Sequence, residues 1–384
     1  MKKIQTVSWA LFDFAETVFS ANIISVFFPL WIVNTLGGSS YHYSFVYSTS
    51  VIFSILLGIL TGKFADERGV KDKFFKLFVV GVIFFLYSMY FAHSLFSALV
   101  LFFIMNILYQ QSLIFYNSLL HDISEGKDKG LVSGIGIGIG YIGGVISLLI
   151  ANYLSETPAQ TFLITAVIFT LFALPSVFFI SSAKKKSANI SIKGIIKDRK
   201  FLLFILSILF LTDAAHGLII FMSVYLNKVF GMSQDEIVNV IAFAGIFAII
   251  SAPVSGYILK KLSPAIFMKY VFLGWISGFI LLVLSTKLTI YVVAVLFGIF
   301  LASLWTTMRV VLIDISPSQQ LTTRFAFMAM SERMASVLSP ITWGVIVYIL
   351  GEGAYSYKIA AAVLGLFPLI GLIIYLKFLK LLDM

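Results

Sequence analysis

The chain has 384 residues, 60% of them hydrophobic and 11% charged, with no cysteine and a formal net charge of +10. Soluble domains hold about 45–50% apolar and about 25% charged residues, so the composition is that of a membrane protein. The missing cysteines exclude a disulfide framework and any thiolate metal site. The positive charge would suit nucleic acid, but its distribution along the chain argues for another origin.

Apolar runs of about 20 residues, each long enough to cross a bilayer as a helix, recur twelve times. They lie near 5–33, 43–64, 74–92, 97–120, 131–153 and 160–181, then near 201–226, 237–259, 266–286, 289–313, 324–350 and 355–379. Placing Lys and Arg in the intervening loops gives an alternation. The N-terminus, the loops 63–76, 121–130, 182–200, 260–269 and 314–324, and the C-terminus hold 22 of the 27 basic residues. Lys228, Lys287 and Lys358 lie on the other side, and Arg309 and Arg333 lie inside runs. By the positive-inside rule both termini are cytoplasmic, and the charge reports orientation, not nucleic-acid affinity. The first run is too long for a cleaved signal peptide, carries two acids and precedes eleven more. The expectation is an integral multi-pass protein of the cell (inner) membrane.

The first run places Asp13, Glu16, Thr17 and Ser20 at i, i+3, i+4 and i+7, one polar stripe on a helix face. An acid near the midplane costs on the order of 2.5–3.5 kcal/mol on insertion scales, so Asp13 is expected to face protein or water. The loop after the second run reads GKFADERGVKDK. Its Gly62, Asp66, Arg68, Gly69 and Lys71 match the G-x-x-x-D-x-x-G-[RK] signature of the major facilitator superfamily, which the chain thereby resembles. Read alone, the loop is a charged turn in which Gly62 allows close helix approach and Asp66 can pair with a base.

The fourth run sets Asn106, Gln110 and Asn117 on one face, with Gln111 and Tyr116 beside it. Buried amides need partners, so this face looks into the bundle, either as helix–helix glue or toward a substrate. The fifth run, SGIGIGIGYIGGVIS, formally spells G-x-G-x-x-G at Gly138, Gly140 and Gly143. No strand precedes it and no acid follows at about 20 residues, so it is no dinucleotide site. Gly134/Gly138, Gly136/Gly140 and Gly140/Gly144 are small-xxx-small pairs for packing against another helix, and Gly143 adds to them.

The basic stretch Ala183 to Lys200 is the one shift in composition, which divides the chain into bundles 1–182 and 201–384 with a cytoplasmic linker at 183–200 that suits anionic lipid. In the second half Asp213 and His216 repeat the i, i+3 spacing of Asp13 and Glu16. LLHDIS at 119–124 and VLIDIS at 311–316 pair Asp122 with Asp314 and Asn117 with Arg309, indicating two parallel six-helix pseudo-repeats. The predicted class is an all-α polytopic protein of twelve transmembrane helices.

From Gly298 the sequence runs GIFLASLWTTMRVVLIDISPSQQLTTRFAFMAMSERMASVLSPITWG. Together with WALFDFAETVFS and the glycine run, it resembles the major-facilitator family named for the autophagy-related vacuolar amino-acid effluxer. The matching positions are Trp9, Asp13, Phe14 and Ala15, then Ser133, Gly134, Gly140, Tyr141, Gly143 and Gly144, and finally Arg309, Pro317, Phe325, Ser336, Pro340 and Gly344. Many members carry Asn where Glu16 stands, and Met308 and Val310 replace the serines usual beside Arg309. The resemblance implies alternating access and amino-acid export. It also implies an inner gate in which Asp66 closes on Arg324 or on the start of the eleventh helix.

The acids within runs are Asp13, Glu16, Asp213 and Glu332, set against Arg309 and Arg333. Fully ionised, the four acids would outnumber the two bases, so a proton on some of them is expected, which is the sequence argument for proton coupling. Glu332 and Arg333 also suit a structural pair. Scattered histidines indicate no metal site, and neither a cofactor motif nor a hydrolase pattern is present. The reading is a secondary transporter, acting as a monomer among membrane lipids on a small-molecule substrate. Its rivals are a carrier of another organic or drug-like solute, a membrane-embedded enzyme or lipid scramblase, and a passive channel.

Overall fold

A computed structural model describes residues 2–38, 40–124, 126–182 and 190–382. The first part of the expected linker, 183–189, lies outside the described residues. Among those described, every regular element is helical. Among the described residues, twelve helices are long and apolar enough to cross a membrane: α1 (Lys3–Asn34), α2 (His42–Arg68), α3 (Lys71–Phe91), α4 (Leu95–Ile123), α5 (Lys129–Leu154), α6 (Pro158–Phe179), α7 (Arg199–Phe230), α8 (Asp235–Ile258), α9 (Pro264–Leu284), α10 (Ile290–Asp314), α11 (Ser318–Leu350) and α12 (Ala354–Leu382). Each coincides with one apolar run of the sequence.

Local chemistry fixes the helix ends. Ser94 with Ser97, Thr157 with Gln160 and Ser233 with Glu236 form capping boxes at the starts of α4, α6 and α8, satisfying backbone N–H groups that have no intrahelical acceptor. Asp198 caps α7 by accepting from the N–H groups of Lys200 and Phe201, so this helix begins inside the expected linker. A short helix, Ile192–Lys197, precedes it. Gly69 ends α2 at φ +65°, a left-handed conformation that glycine adopts without strain.

The chain gathers into two units, Met1–Ile190 with Pro317–Ala326, and Ser191–Ser316 with Phe327–Met384. In the first, α1 packs on α5 and α6, α4 on α2 and α3, and α3 on α6. In the second, α7 packs on α12, α10 on α8 and α9, and α9 on α12. The pairings α1–α6, α2–α4, α3–α4 and α3–α6 thus recur six helices later. In the first unit Ser182 donates to Asp72 at 2.9 Å and the Ile190 N–H to Glu67 at 2.9 Å.

Large apolar side chains such as Leu60, Phe84, Leu171 and Ile250 are exposed, whereas Asp13, Asn106, Gln111 and Asp213 are fully buried. That inverts the soluble pattern and fits a lipid surround. The α1–α5 contact depends on missing side chains. A Cβ on Gly136 would stand 2.1 Å from Asp13 Oδ2, and one on Gly140 would stand 2.7 Å from Thr17 Oγ1 and 3.1 Å from the Asp13 carbonyl oxygen. Cβ atoms on Gly143 and Gly144 would meet Phe14 and Thr17. Gly134 and Gly138 are buried in the same helix.

Gly140→Val should therefore cost about 1–3 kcal/mol through overpacking, read as a lowered thermal midpoint in detergent. Gly245 in α8 has nothing within 4 Å of its would-be Cβ. Gly245→Ala should leave the midpoint unchanged or raise it. Equal losses in the two variants would contradict the close contact.

Candidate functional site

The polar stripe of α1 divides between two neighbours. Asp13 and Thr17 lie against the α5 glycines, and Thr17 Oγ1 donates to the Asp13 carbonyl at 2.9 Å. Glu16 turns toward α4, where the Tyr109 hydroxyl donates to its Oε2 at 2.9 Å. Thr17 Oγ1 also lies 3.2 Å from Glu16 Oε1 as a donor. Tyr109 is held in place by stacking on Phe19, with ring centroids 4.1 Å apart. One turn from Asp13, Trp9 Nε1 donates to the Tyr116 carbonyl at 2.9 Å while the Tyr116 hydroxyl donates to the Trp9 carbonyl at 3.1 Å. Their rings stack at 4.2 Å. This reciprocal lock fixes the register of α1 against α4.

The α4 amides bind mostly α2. Asn106 donates to Ser50 Oγ at 2.7 Å, Gln111 donates to the Ser54 carbonyl at 2.7 Å, and Thr61 donates to Gln111 Oε1 at 2.8 Å. Gln110 donates along its own helix to Asn106 at 3.4 Å. These contacts make the face an inter-helix seam. Asn117 is half-buried, and its Oδ1 has no hydrogen-bond partner among the described residues.

The signature loop builds a second polar cluster. Asp66, buried, accepts from the N–H groups of Thr322 and Thr323 at 3.2 and 2.8 Å and from the Thr323 hydroxyl at 2.9 Å. These donors belong to the first turn of α11, whose unsatisfied N–H groups and partial positive charge favour a carboxylate. Gly62 permits the approach, since a Cβ there would stand 3.2 Å from Thr322 and Thr323 backbone atoms. Lys71 Nζ pairs with Asp122 at 2.7 Å, both side chains under 10% exposed, and lies 3.5 Å from the Ser118 carbonyl. The Thr322 hydroxyl in turn donates to Ser118 Oγ at 3.3 Å. Arg68 is exposed and sits over the Phe64 ring at 4.9 Å. Buried Arg324 donates through Nε to Gln320 at 3.3 Å.

The second unit carries a separate charged set. Glu332 of α11 lies within Coulombic range of Arg333 and of Arg309 on α10, and Arg333 within range of His216 on α7. The His216 ring lies 6.0 Å from that of Trp305. Arg309 is buried, so its guanidinium works where its hydrogen bonds are weakly screened. One turn before His216, Asp213 Oδ1 accepts from the Ser339 N–H at 3.1 Å.

Sequence reasoning passed over Asn22, which is fully buried in α1. It donates to Thr165 Oγ1 at 3.1 Å and accepts from Ser147 Oγ at 3.1 Å, tying α1 to α6 and α5. An amide inside an apolar run was the available signal. Its surroundings are also irregular: Phe19–Phe27 is π-helical, and Ser25 Oγ donates to the Ser20 carbonyl five residues back at 3.0 Å.

Comparison with known proteins places this architecture. The model of the Major Facilitator Superfamily matches residues 17–286. An uncharacterized protein of Aquifex aeolicus (strain VF5) is 35% identical over 378 residues, covering 98% of this chain and 97% of its own. An uncharacterized MFS-type transporter of Bacillus subtilis (strain 168), YxiO, is 25% identical over 389 residues, covering 91% of this chain and 90% of its own. The crystal structure of a bacterial homologue of the iron transporter ferroportin in an outward-facing state is similar in fold, with a TM-score of 0.79 at 14% identity over 98% of this chain and 99% of that one. The protein is thus an integral multi-pass membrane transporter of a small molecule, surrounded by lipid and not an enzyme, and it belongs to the Major Facilitator Superfamily.

Proposed function

We propose that this transporter exports an amino acid by alternating access, coupled to protons. The observation that carries the reading is the burial of titratable carboxylates at lipid depth, above all Asp13, which is fully enclosed in a helix otherwise rich in Phe, Val and Ile. An acid in such a place is costly unless it has a task or a partner. Asp13, with Glu16 one turn on and connected to Tyr109, takes the proton. In the second unit Arg309 offers a planar, permanently charged fork suited to a substrate carboxylate, with Glu332 and Arg333 balancing it. The matched positions of the amino-acid effluxer family in α1, α5, α10 and α11 favour an amino acid as that solute.

Asp66 serves as a latch on the start of α11 that breaks and re-forms in each cycle. The Lys71–Asp122 pair beside it fixes the end of α4. The two termini, the linker and the basic loops lie on the cytoplasmic side, and the carrier works as a monomer in the cell membrane.

Reconstitution into liposomes with amino-acid counterflow tests the proposal directly. Exchange of labelled amino acid against an internal pool is expected, and uptake with no trans-stimulation by any amino acid would reject the substrate class. Asp13→Asn should abolish the response of transport to a pH jump while leaving counterflow measurable. Retention of full pH dependence would make Asp13 structural. Asp66→Asn weakens an interaction of about 0.3–2 kcal/mol at a helix N-terminus, so it should raise labelling of engineered cysteines on the inner face and lower transport several-fold. Unchanged labelling and transport would reject the latch. Arg309→Lys keeps the charge and loses the fork, so it should weaken carboxylate-bearing solutes at least tenfold more than amine-only analogues. Equal weakening would remove Arg309 from the substrate's contacts.

A further inference from the structure

The last third of α1 is wound differently from the part that carries Asp13 and Glu16. Phe19–Phe27 is π-helical, and α-helix resumes over Phe28–Asn34. In a π-helix each N–H bonds five residues back instead of four, so the stretch holds at least one residue more than an α-helix of as many turns. Such stretches are rare and gather at functional sites. Neither the proton at Asp13 nor the Arg309 set uses this one.

Polar side chains hold the wide register. Ser25 Oγ donates to the Ser20 carbonyl at 3.0 Å, and the Tyr43 hydroxyl of α2 donates to the Ile24 carbonyl at 2.6 Å. Asn22, fully buried at the centre, donates to Thr165 Oγ1 of α6 and accepts from Ser147 Oγ of α5. Pro29 follows the stretch and has no N–H, so an unbroken α-helix would leave the Ser25 carbonyl without its donor. The register therefore hangs on a few separable hydrogen bonds and one proline.

The two sides of the stretch are anchored unequally. Before it, the α5 glycines enclose Asp13, Phe14 and Thr17, and the Trp9–Tyr116 lock fixes α1 on α4. After it, α1 rests on rings, with Phe28 stacked on Phe102 at 4.1 Å and Trp31 beside Phe162 at 4.8 Å. Ring contacts of this kind break no hydrogen bond when they shift. The chain then leaves the helix through Gly37 at φ +67°, a conformation glycine adopts freely.

We propose that Phe19–Phe27 is a register switch: the π turn re-forms as α-helix, absorbs its spare residue and turns Phe28–Asn34, while Asp13 and Glu16 stay in place. One residue of an α-helix is worth roughly 100° and roughly 1.5 Å, enough to carry Phe28 off Phe102 and Trp31 off Phe162. Asn22 and Tyr43 are the positioning residues that hold the present register. The switch depends neither on the identity of the transported solute nor on the protonation of Asp13.

The test is amide hydrogen exchange, read by mass spectrometry, on the purified full chain in detergent. In wild type the amides of residues 19–27 are expected to exchange at least tenfold faster than those of 10–18, because local opening sets the rate. Tyr43→Phe removes a catch and should speed exchange in 19–27 at least twofold, leaving 10–18 unchanged. Deleting exposed Ser25 removes a spare residue. Pro29 then falls four residues after Ile24, whose carbonyl Tyr43 already serves. This deletion should keep the thermal midpoint and slow exchange in 19–27 at least tenfold. Because the chain has no cysteine, Ile32→Cys, buried in the present register, reports the turn itself. N-ethylmaleimide should modify it at least tenfold faster in the full-length chain than in the Ser25 deletion. Should the deletion fail to fold, Tyr43→Phe decides, expected to speed modification of Ile32→Cys at least twofold. Exchange in 19–27 as slow as in 10–18, or an Ile32→Cys that is never modified, would overturn the switch. Fast exchange with Ile32→Cys modification indifferent to either change would overturn it in favour of simple fraying. A folded deletion with faster exchange would make the π turn a fixed structural element. None of these outcomes touches the proton-coupling test at Asp13.

Discussion

A charge or polar group at lipid depth has no water to fall back on, so its partner must come from another helix. That constraint shapes this protein more than apolar packing does, because lipid tails reward apolar side chains about as well as neighbouring helices do. Lys71 and Asp122, at the loop ends of α3 and α4, show that burial sets the same demand at the membrane's edge. Both are nearly sealed from solvent and stand 2.7 Å apart, and removing one partner of such a buried pair costs about 3–5 kcal/mol because the other is left uncompensated. Asp66 solves the same problem without a base, by using backbone N–H groups and a hydroxyl at the start of a helix.

Two kinds of helix contact make these partnerships possible. Against α5, α1 comes close because glycines leave room for Asp13, Phe14 and Thr17. Against α4, α1 is held through large rings, with Trp9 on Tyr116 and Phe19 on Tyr109. The first contact buries a carboxylate against bare backbone, and the second delivers a phenol to Glu16. One helix therefore presents two acids, three residues apart, to different chemistries. A polar stripe drawn on a helical wheel merges them, because periodicity gives the face and not the neighbour.

The number and bounds of the helices were legible because each is a long apolar run closed by a cap or turn, and those signals are local. The signature loop was legible for a related reason: Gly69 requires a left-handed φ and Gly62 a close backbone approach, and both demands are written in single residues. The partners were less legible. Arg68 belongs to the same signature yet lies exposed over Phe64, while Lys71, three positions on, finds Asp122 from another helix. Which basic residue turns inward depends on tertiary geometry that a loop sequence does not carry. The π-helical stretch Phe19–Phe27 was invisible as well. Hydropathy registers that a segment is apolar and helical but does not distinguish i→i+5 from i→i+4 bonding. Pro29, just beyond that stretch, was the single local cue to an irregular helix.

The two units share their helix pairings but not their buried chemistry. Asp13 lies ten residues into α1 and Asp213 fourteen into α7, a difference of one turn, or roughly 6 Å along the helix. Each acid has a glycine opposite or beside it, but the glycines act differently. Gly136 belongs to the partner helix and gives Asp13 room, whereas Gly217 belongs to the acid's own helix and draws Ser339 toward Asp213. The Asp13 side is a carboxylate beside a tyrosine-bonded second acid, a setting in which a proton can be passed or held. The Asp213 side is a carboxylate that accepts from the Ser339 N–H, with the Ser339 hydroxyl and Pro340 beside it on α11. A duplicated scaffold thus holds helix positions constant while a one-turn offset gives each buried acid its own neighbours, and with them its own chemistry.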